Sequence, residues 1–344
     1  KLNYSTAHAQ ENKYINYYYK INILISLPII NIYNIIINII IAKDFINRYF
    51  QTCRMSQFTF VPVSNPVRQE DILQLRNFIE NNNEICVLTG AGVSTESGIP
   101  DYRSAGVGIY ARSSRRPVLY KDFCSNEFIR RRYWARNYVG WPRFSTFQPN
   151  DTHKVLKNLE EIGKISCIVT QNVDNLHTKA GNRNVIELHG TAFRVMCLNC
   201  NHKMERSNFQ NILKELNPLL NSHSEMIRPD GDVDLTQQET EEFNVPPCEN
   251  CGGVLKPDIV FFGDNVPRHV VENVKNIVEQ SSSLLILGTS LSTFSGYRIV
   301  LQALNAKKPI ILVNIGKTRA DNDISIRIEG RCGYILSKTI SFKS

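Results

Sequence analysis

Cys197-Leu-Asn-Cys200 and Cys248-Glu-Asn-Cys251 are two C-x2-C pairs separated by 47 residues. Each such knuckle aims two thiolates at one point, and two knuckles together complete a tetrahedral four-sulfur zinc site. Gly252 and Gly253 follow Cys251 and let the backbone turn tightly around a metal. Four thiolates leave no open coordination position, so such a zinc ion builds structure and does no chemistry. Two separate disulfides or a redox pair use the same residues, but the other five cysteines are scattered singly, unlike a disulfide framework. The spacer carries Asp230, Asp232, Asp234, Glu239, Glu241 and Glu242 with no Lys or Arg among them, which predicts a solvated loop.

A second group of residues suits a phosphorylated ligand. Gly90-Ala-Gly92 opens a loop running through Ser94, Thr95, Gly98, Ile99, Pro100, Asp101, Tyr102 and Arg103. Gly90 and Gly92 permit close backbone approach, and amides at a following helix start attract phosphate. The third glycine stands at 98, so the loop is not a G-x-G-x-x-G fingerprint. Asp101 and Arg103 add a carboxylate and a bidentate cation. Thr170-Gln171-Asn172-Val173-Asp174 offers amides and a carboxylate suited to ribose hydroxyls and a carboxamide; a turn in which Asp174 caps a helix is the plainer alternative. His189, in Glu187-Leu-His-Gly190, is a structural histidine or, beside a nucleotide, a general base titrating near neutrality.

These motifs sit where an α/β chain would hold them. Ile85–Thr89, Ile165–Thr170, Leu284–Leu287 and Pro309–Val313 are short apolar runs typical of buried parallel strands. Glu70–Asn81, Val270–Glu279 and Tyr297–Asn305 carry apolar residues at helical spacing. Buried strands alternating with helices predict a doubly wound parallel sheet, whose ligands bind at the carboxyl ends of the strands. The chain of 344 residues is long enough for one large domain or two modest ones, and its composition excludes collagen, wholesale disorder and a small disulfide scaffold.

Residues 1–54 differ from the rest. Ile, Asn, Tyr and Lys fill 33 of the first 50 positions, and the first Met is Met55. The stretch resembles translated non-coding sequence or a disordered leader. The apolar run Ile21–Ala42 raises two alternatives, an anchor or a targeting peptide, against which stand Pro28, four Asn and a single Arg before residue 51. It contributes +4 of the formal +8. Residues 112–143 hold nine basic and two acidic side chains, so the remaining excess is a local patch, and neither nucleic-acid binding nor stable membrane association is expected.

In this order, Gly90–Arg103, Thr170–His177, Glu187–Gly190 and the two Cys pairs resemble the sirtuin family of NAD-dependent protein deacylases. The likeness covers roughly residues 60–340 and includes Lys256–Gly263, Gly288–Ser290 and Asn314–Gly316. Pro100-Asp-Tyr-Arg103, Arg132-Tyr-Trp-Ala-Arg136 and the long inter-Cys spacer are similar to the mitochondrial class II branch (sirtuin four), and Tyr102 stands where Phe is common elsewhere in the family. The resemblance implies a Rossmann-like NAD domain over 60–344 with a zinc module inserted at 191–256, and a location in the mitochondrial matrix.

It also implies site roles. The Gly90–Tyr110 segment (Gly90, Ala91, Gly92, Ser94, Thr95, Ile99, Pro100, Asp101, Tyr102, Arg103, Tyr110) would wrap the pyrophosphate and nicotinamide ribose of NAD, with Tyr102 as an aromatic lid. Gln171, Asn172, Val173 and Asp174 would contact ribose and carboxamide. Gly288, Thr289, Ser290, Asn314, Ile315, Gly316 and Cys332 would line the adenosine end. In such enzymes the oxygen of an acylated lysine on a protein substrate attacks the ribose as nicotinamide leaves. His189, helped by Asn172, then deprotonates a ribose hydroxyl that takes the acyl group. Val260, Phe261 and Phe262 would form the acyl tunnel and clamp the peptide as an added strand. Tyr133 and Arg136, three apart on one helical face, resemble a Tyr-x-x-Arg element that reads dicarboxylic acyl groups, implying glutaryl or methylglutaryl-type substrates; a solvated basic helix face is the alternative. Protein ADP-ribosylation at the same NAD site is the rival activity.

Overall fold

The computed structural model describes residues 60–340 apart from 115, 221 and 223–225. The expectations for residues 1–54 lie outside the described residues. Among those described, no helix is long and apolar enough to cross a membrane.

Six strands form a parallel sheet in the order β3-β2-β1-β7-β8-β9, with β1 Ile85–Thr89, β2 Ile165–Thr170, β3 Val185–Glu187, β7 Leu284–Leu287, β8 Ile310–Asn314 and β9 Ile326–Glu329. The strand alternation explains its two buried faces. Ile85, Val87, Leu285, Leu287, Ile311 and Val313 enter one core, whereas Cys86, Leu88, Leu284, Ile286, Ile310 and Leu312 enter the other. Because side chains alternate with period two, a strand apolar at every position must be covered on both sides. Helices Gln69–Asn81, Asp151–Glu161 and Cys332–Thr339 supply apolar side chains to the first core. Helices Arg268–Gln280 and Phe294–Asn305 supply them to the second. This is the doubly wound architecture expected, with the Pro309–Val313 run paired one residue later.

The second sheet is antiparallel, β5-β4-β6, with β4 Gly190–Cys197, β5 Lys203–Glu205 and β6 Leu255–Ile259. It shares a third core with helices Glu127–Phe144 and Arg206–Leu216. Trp134 is fully buried there and its indole N–H donates to the Leu255 carbonyl at 3.1 Å, satisfying the polar edge of a large apolar ring.

The inter-Cys spacer is the solvated segment expected only in part: Asp234, Glu241 and Glu242 are exposed, but the turn around Asp232 is packed inward. Ile227 and Val233 pair across a tight turn at Pro229-Asp-Gly231, where Gly231 has φ +80°. Asp232 is 5% exposed, with its carboxylate 2.9 Å from the buried Arg136 Nε and 4.0 Å from the buried Arg228 Nε. Helix and turn approach so closely that a Cβ on Gly140 would lie 2.1 Å from the Gly231 carbonyl oxygen. Asp232 is retained inside because the Arg136 and Arg228 guanidinium groups face it.

Candidate active site

The chemistry-bearing motifs converge on one cavity of about 1140 Å³ at the carboxyl ends of the parallel strands. At its floor, β1 runs through Gly90 into a 3₁₀ helix, Ala91–Ser97, against the turn that follows β7. The Gly92 amide donates to the Gly288 carbonyl at 2.8 Å. Gly288 has φ +55°, and a Cβ there would meet the Val93 nitrogen at 2.6 Å. The two turns touch backbone to backbone, which only glycine permits. That contact brings Thr289 and Ser290 to the cavity beside Ala91, Gly92, Ser94 and Thr95.

The polar turn after β2 is tied to the same loop. Ser94 donates to Asp174 at 2.6 Å, and Asn172 Nδ2 reaches the Gly90 carbonyl and Ser94 Oγ, each at 3.1 Å. Asp174 also accepts from the Leu176 amide at 3.0 Å, which closes the turn, but the N-cap of the short helix Leu176–Lys179 is Asn175 and not Asp174 as the plainer alternative had it. Burial raises its carboxyl above the ordinary range, opposed by the Ser94 hydrogen bond. Gln171 Nε2 donates to Thr289 Oγ1 at 2.9 Å, joining the β2 and β7 turns. Asp101 accepts from the Arg103 and Ser104 amides at 2.9 and 2.8 Å, so it shapes its own loop while lining the cavity.

His189 sits in the turn between β3 and β4, and its carbonyl accepts from the Val260 amide at 2.8 Å. Gly190 beside it has φ +75°, and a Cβ would lie 2.0 Å from the Asp258 carbonyl oxygen. The imidazole lies between two partners: Nδ1 is 2.9 Å from the Gln171 carbonyl and Nε2 is 2.8 Å from Ser295 Oγ. Burial holds it below the ordinary histidine range, with the Gln171 carbonyl opposing.

The Val260–Phe262 segment, Tyr102, Arg103 and Ile99 line the cavity, as do Val173, Asn314, Ile315, Gly316 and Cys332. Tyr102 packs against Tyr110 and edge-on to Phe262, with centroids 5.6 and 5.9 Å apart. Burial pushes the Cys332 thiol up to about 12, so it is an inert wall. Gly90, Pro100 and Tyr110 stand behind the lining. Gly90 is packed so closely that a Cβ would lie 2.6 Å from Thr289 Cβ.

Tyr133 and Arg136 do not reach the cavity. Tyr133 is 2% exposed among Phe123, Trp134 and Phe261, and Arg136 is held by Asp232. The helix that carries them is buried along Tyr133–Asn137, so their shared face is an interior one. Ser295 and Asp230 are among the lining residues to which the sequence assigns no role in the site. Ser295 follows the Gly288–Ser290 turn, and Asp230 belongs to a Pro-Asp-Gly turn whose pattern signals a bend but not its location. Burial and the neighbouring Asp232 push the Asp230 carboxyl up to about 6, opposed by Arg228.

The four expected cysteines gather with all sulfurs within 4.8 Å of one another; Cys197–Cys251 is 3.5 Å and Cys200–Cys248 3.8 Å. A tetrahedron with Zn–S bonds of about 2.3 Å has edges of about 3.8 Å, so the cluster fits zinc. The Asn199 amide donates to Cys197 Sγ at 3.3 Å, as expected for a thiolate knuckle.

The Sir2 family profile matches residues 90–295. The chain belongs to the Sir2 family. It is 51% identical over 285 residues to the NAD-dependent protein deacylase Sirt4 of Drosophila melanogaster, covering 83% of this chain and 91% of that one. It is 49% identical over 277 residues to the human mitochondrial NAD-dependent protein lipoamidase sirtuin-4, covering 80% and 88%. A solved Sir2 structure with a deacetylated p53 peptide and 3′-O-acetyl ADP-ribose superposes with TM-score 0.63 at 26% identity, covering 78% and 96%.

Proposed function

We propose that this chain is an NAD-dependent protein-lysine deacylase that transfers the acyl group of a modified lysine to ADP-ribose with release of nicotinamide. The observation that carries this is His189: its Nδ1 faces a carbonyl, which can only accept, so Nε2 is left as the basic nitrogen inside the cavity. Bound NAD supplies the electrophilic ribose carbon and the hydroxyl that takes the acyl group. Residues of the Gly90 loop and the β2, β7 and β8 turns hold it, among them Gly92, Ser94, Asn172, Asp174, Thr289 and Asn314. His189 takes the hydroxyl proton at Nε2, while Tyr102, Phe261 and Phe262 exclude water and seat the lysine chain. The cysteine cluster holds zinc outside the chemistry.

The acyl chains we assign end in a hydroxyl or carboxylate, glutaryl and methylglutaryl-type groups included. Asp230 replaces Tyr133 and Arg136 as their reader. Its carboxyl, near Tyr102 and Tyr133 and backed by Arg228 and Asp232, accepts from a hydroxyl when ionised and donates to a carboxylate when protonated. We place the protein in the mitochondrial matrix; the human and bovine relatives are named mitochondrial.

His189→Tyr is expected to abolish nicotinamide release coupled to deacylation while leaving the zinc content intact; retained turnover would refute the assignment. Rates on acetyl-, glutaryl- and 3-hydroxy-3-methylglutaryl-lysine peptides test the acyl reading. The glutaryl rate relative to acetyl should fall as pH rises through about 6, where Asp230 ionises. Acetyl-lysine winning at every pH overturns it. Acyl-ADP-ribose as the product supports deacylation; ADP-ribose attached to protein marks the rival activity.

A further inference from the structure

The hydroxyl of Ser295 lies 2.8 Å from the substrate-facing nitrogen of the base, and no step proposed above uses it. Its position is tightly determined. Ser295 is the second residue of the helix Phe294–Asn305. The next residue is Gly296, where a Cβ would meet the Gln171 side-chain amide at 2.7 Å. The same amide accepts from Thr293 Oγ1 at 3.2 Å and donates to Thr289 at 2.9 Å. Gln171 therefore fixes the start of this helix through its side chain and fixes His189 through its carbonyl. One residue sets the distance between the hydroxyl and the imidazole.

The hydrogen-bond directions follow from the donors available. The Gln171 carbonyl can only accept, so Nδ1 carries the proton and Nε2 is an acceptor. Ser295 Oγ is then the donor to Nε2. We propose that Ser295 is a positioning residue for His189: with the tautomer set by the Gln171 carbonyl, its hydroxyl donates to the Nε2 lone pair and holds the imidazole in place until the ribose hydroxyl takes over that lone pair. The inference rests on the deacylase reading and adds to it a residue that tunes the base.

A hydroxyl donating to Nε2 stabilises the neutral imidazole, because protonation removes the accepting lone pair. The titratable groups on neighbouring elements are Asp174 after β2, Glu187 in β3, Arg194 in β4, Lys256 and Asp258 in β6, and Tyr297 and Arg298 in the helix Phe294–Asn305. The shift of His189 itself comes from burial and the Gln171 carbonyl. Removing the Ser295 donor should therefore raise the pH at which the base becomes protonated.

The test compares full-length wild type, Ser295→Ala and Ser295→Thr. Ser295→Ala is expected to move the acid limb of kcat upward by about 0.5 to 1 pH unit and to lower kcat at neutral pH roughly 3- to 10-fold, the scale of one hydrogen bond. KM for NAD should stay within about twofold, since binding contacts are not removed. Ser295→Thr keeps the hydroxyl and should restore both. Nitrogen-15 histidine spectra give a readout independent of turnover. The His189 signals, identified by their loss in His189→Tyr, should report protonated Nδ1 in both proteins and a Nε2 resonance shifted in Ser295→Ala by loss of the donated hydrogen bond. An unchanged acid limb and an unchanged Nε2 resonance in Ser295→Ala overturn the proposal even in an active enzyme. Absence of NAD-dependent deacylation in wild type instead overturns the function on which it rests.

Discussion

Arg136 separates a structural role from a recognition role, and its replacement distinguishes them by measurement. Its Nε lies 2.9 Å from Asp232, with both side chains nearly excluded from solvent at 4% and 6% exposure. Arg136→Met keeps most of the aliphatic volume but removes the closest cation from the Asp232 carboxylate, which keeps the Val233 amide at 3.0 Å and Arg228 at 4.0 Å. Breaking a buried pair on one side costs about 3–5 kcal/mol, because the remaining charge is poorly compensated. The value should lie toward the lower end, since Arg228 still faces the carboxylate. Asp232→Asn should cost about as much, because the buried Arg136 then faces a neutral partner while Arg228 keeps Asp234 at 3.5 Å. At about 2 °C per kcal/mol for a domain of this size, a loss of roughly 6–10 °C in Tm is expected. Urea denaturation gives the free energy, and deacylation of glutaryl- and acetyl-lysine peptides gives the selectivity. The reasoning requires a large stability loss with the ratio of the two rates unchanged well below the melting point. A loss under about 1 kcal/mol together with a fall in the glutaryl rate alone would refute it, and would mean that Arg136 reaches the acyl chain.

Removing zinc with a strong chelator, or replacing Cys248 with Ser, should take metal content from one ion per chain to none and lower Tm, as measured by atomic absorption and calorimetry. Acid should weaken the fold through His153 and His177, whose rings lie 4.8 Å apart and fully buried. Burial lowers both, His177 to about 3, so between pH 6.5 and 3 the unfolded chain binds protons that the folded one does not. Stability should then fall by about 1.4 kcal/mol per pH unit through His177, or about 2 kcal/mol by pH 5, with His153 acting in the same direction. His177→Gln should flatten the slope of denaturation free energy against pH between 7 and 5; an unaltered slope would exclude His177 as a source.

Contiguous motifs were legible because their chemistry depends on local spacing. Each C-x2-C knuckle forms within one turn, and the Gly90 loop follows directly from an apolar strand, so the sheet, the cysteine cluster and the cavity floor could be anticipated from residue order. The short strands β3 and β9 and the whole antiparallel sheet carry weaker patterns, and they depend on partners remote in sequence. The helix Glu127–Phe144 shows the limit most clearly. A spacing of three places Tyr133 and Arg136 on one side of it, yet the side chains from 133 to 137 are all buried. Periodicity cannot reveal which neighbour each of them meets.

The sequence by itself determined which residues could cradle phosphates, bind a metal and move a proton, since those capacities belong to side-chain type and local order. Only the tertiary structure decided which of them meet. It turned the Pro229–Asp232 bend of the spacer inward so that Asp232 neutralises Arg136 and Asp230 lines the cavity. It also set Ser295 against His189 across 106 positions of chain. The physical reason is that burial makes an unpaired charge or donor costly, and its partner is supplied by packing between distant segments.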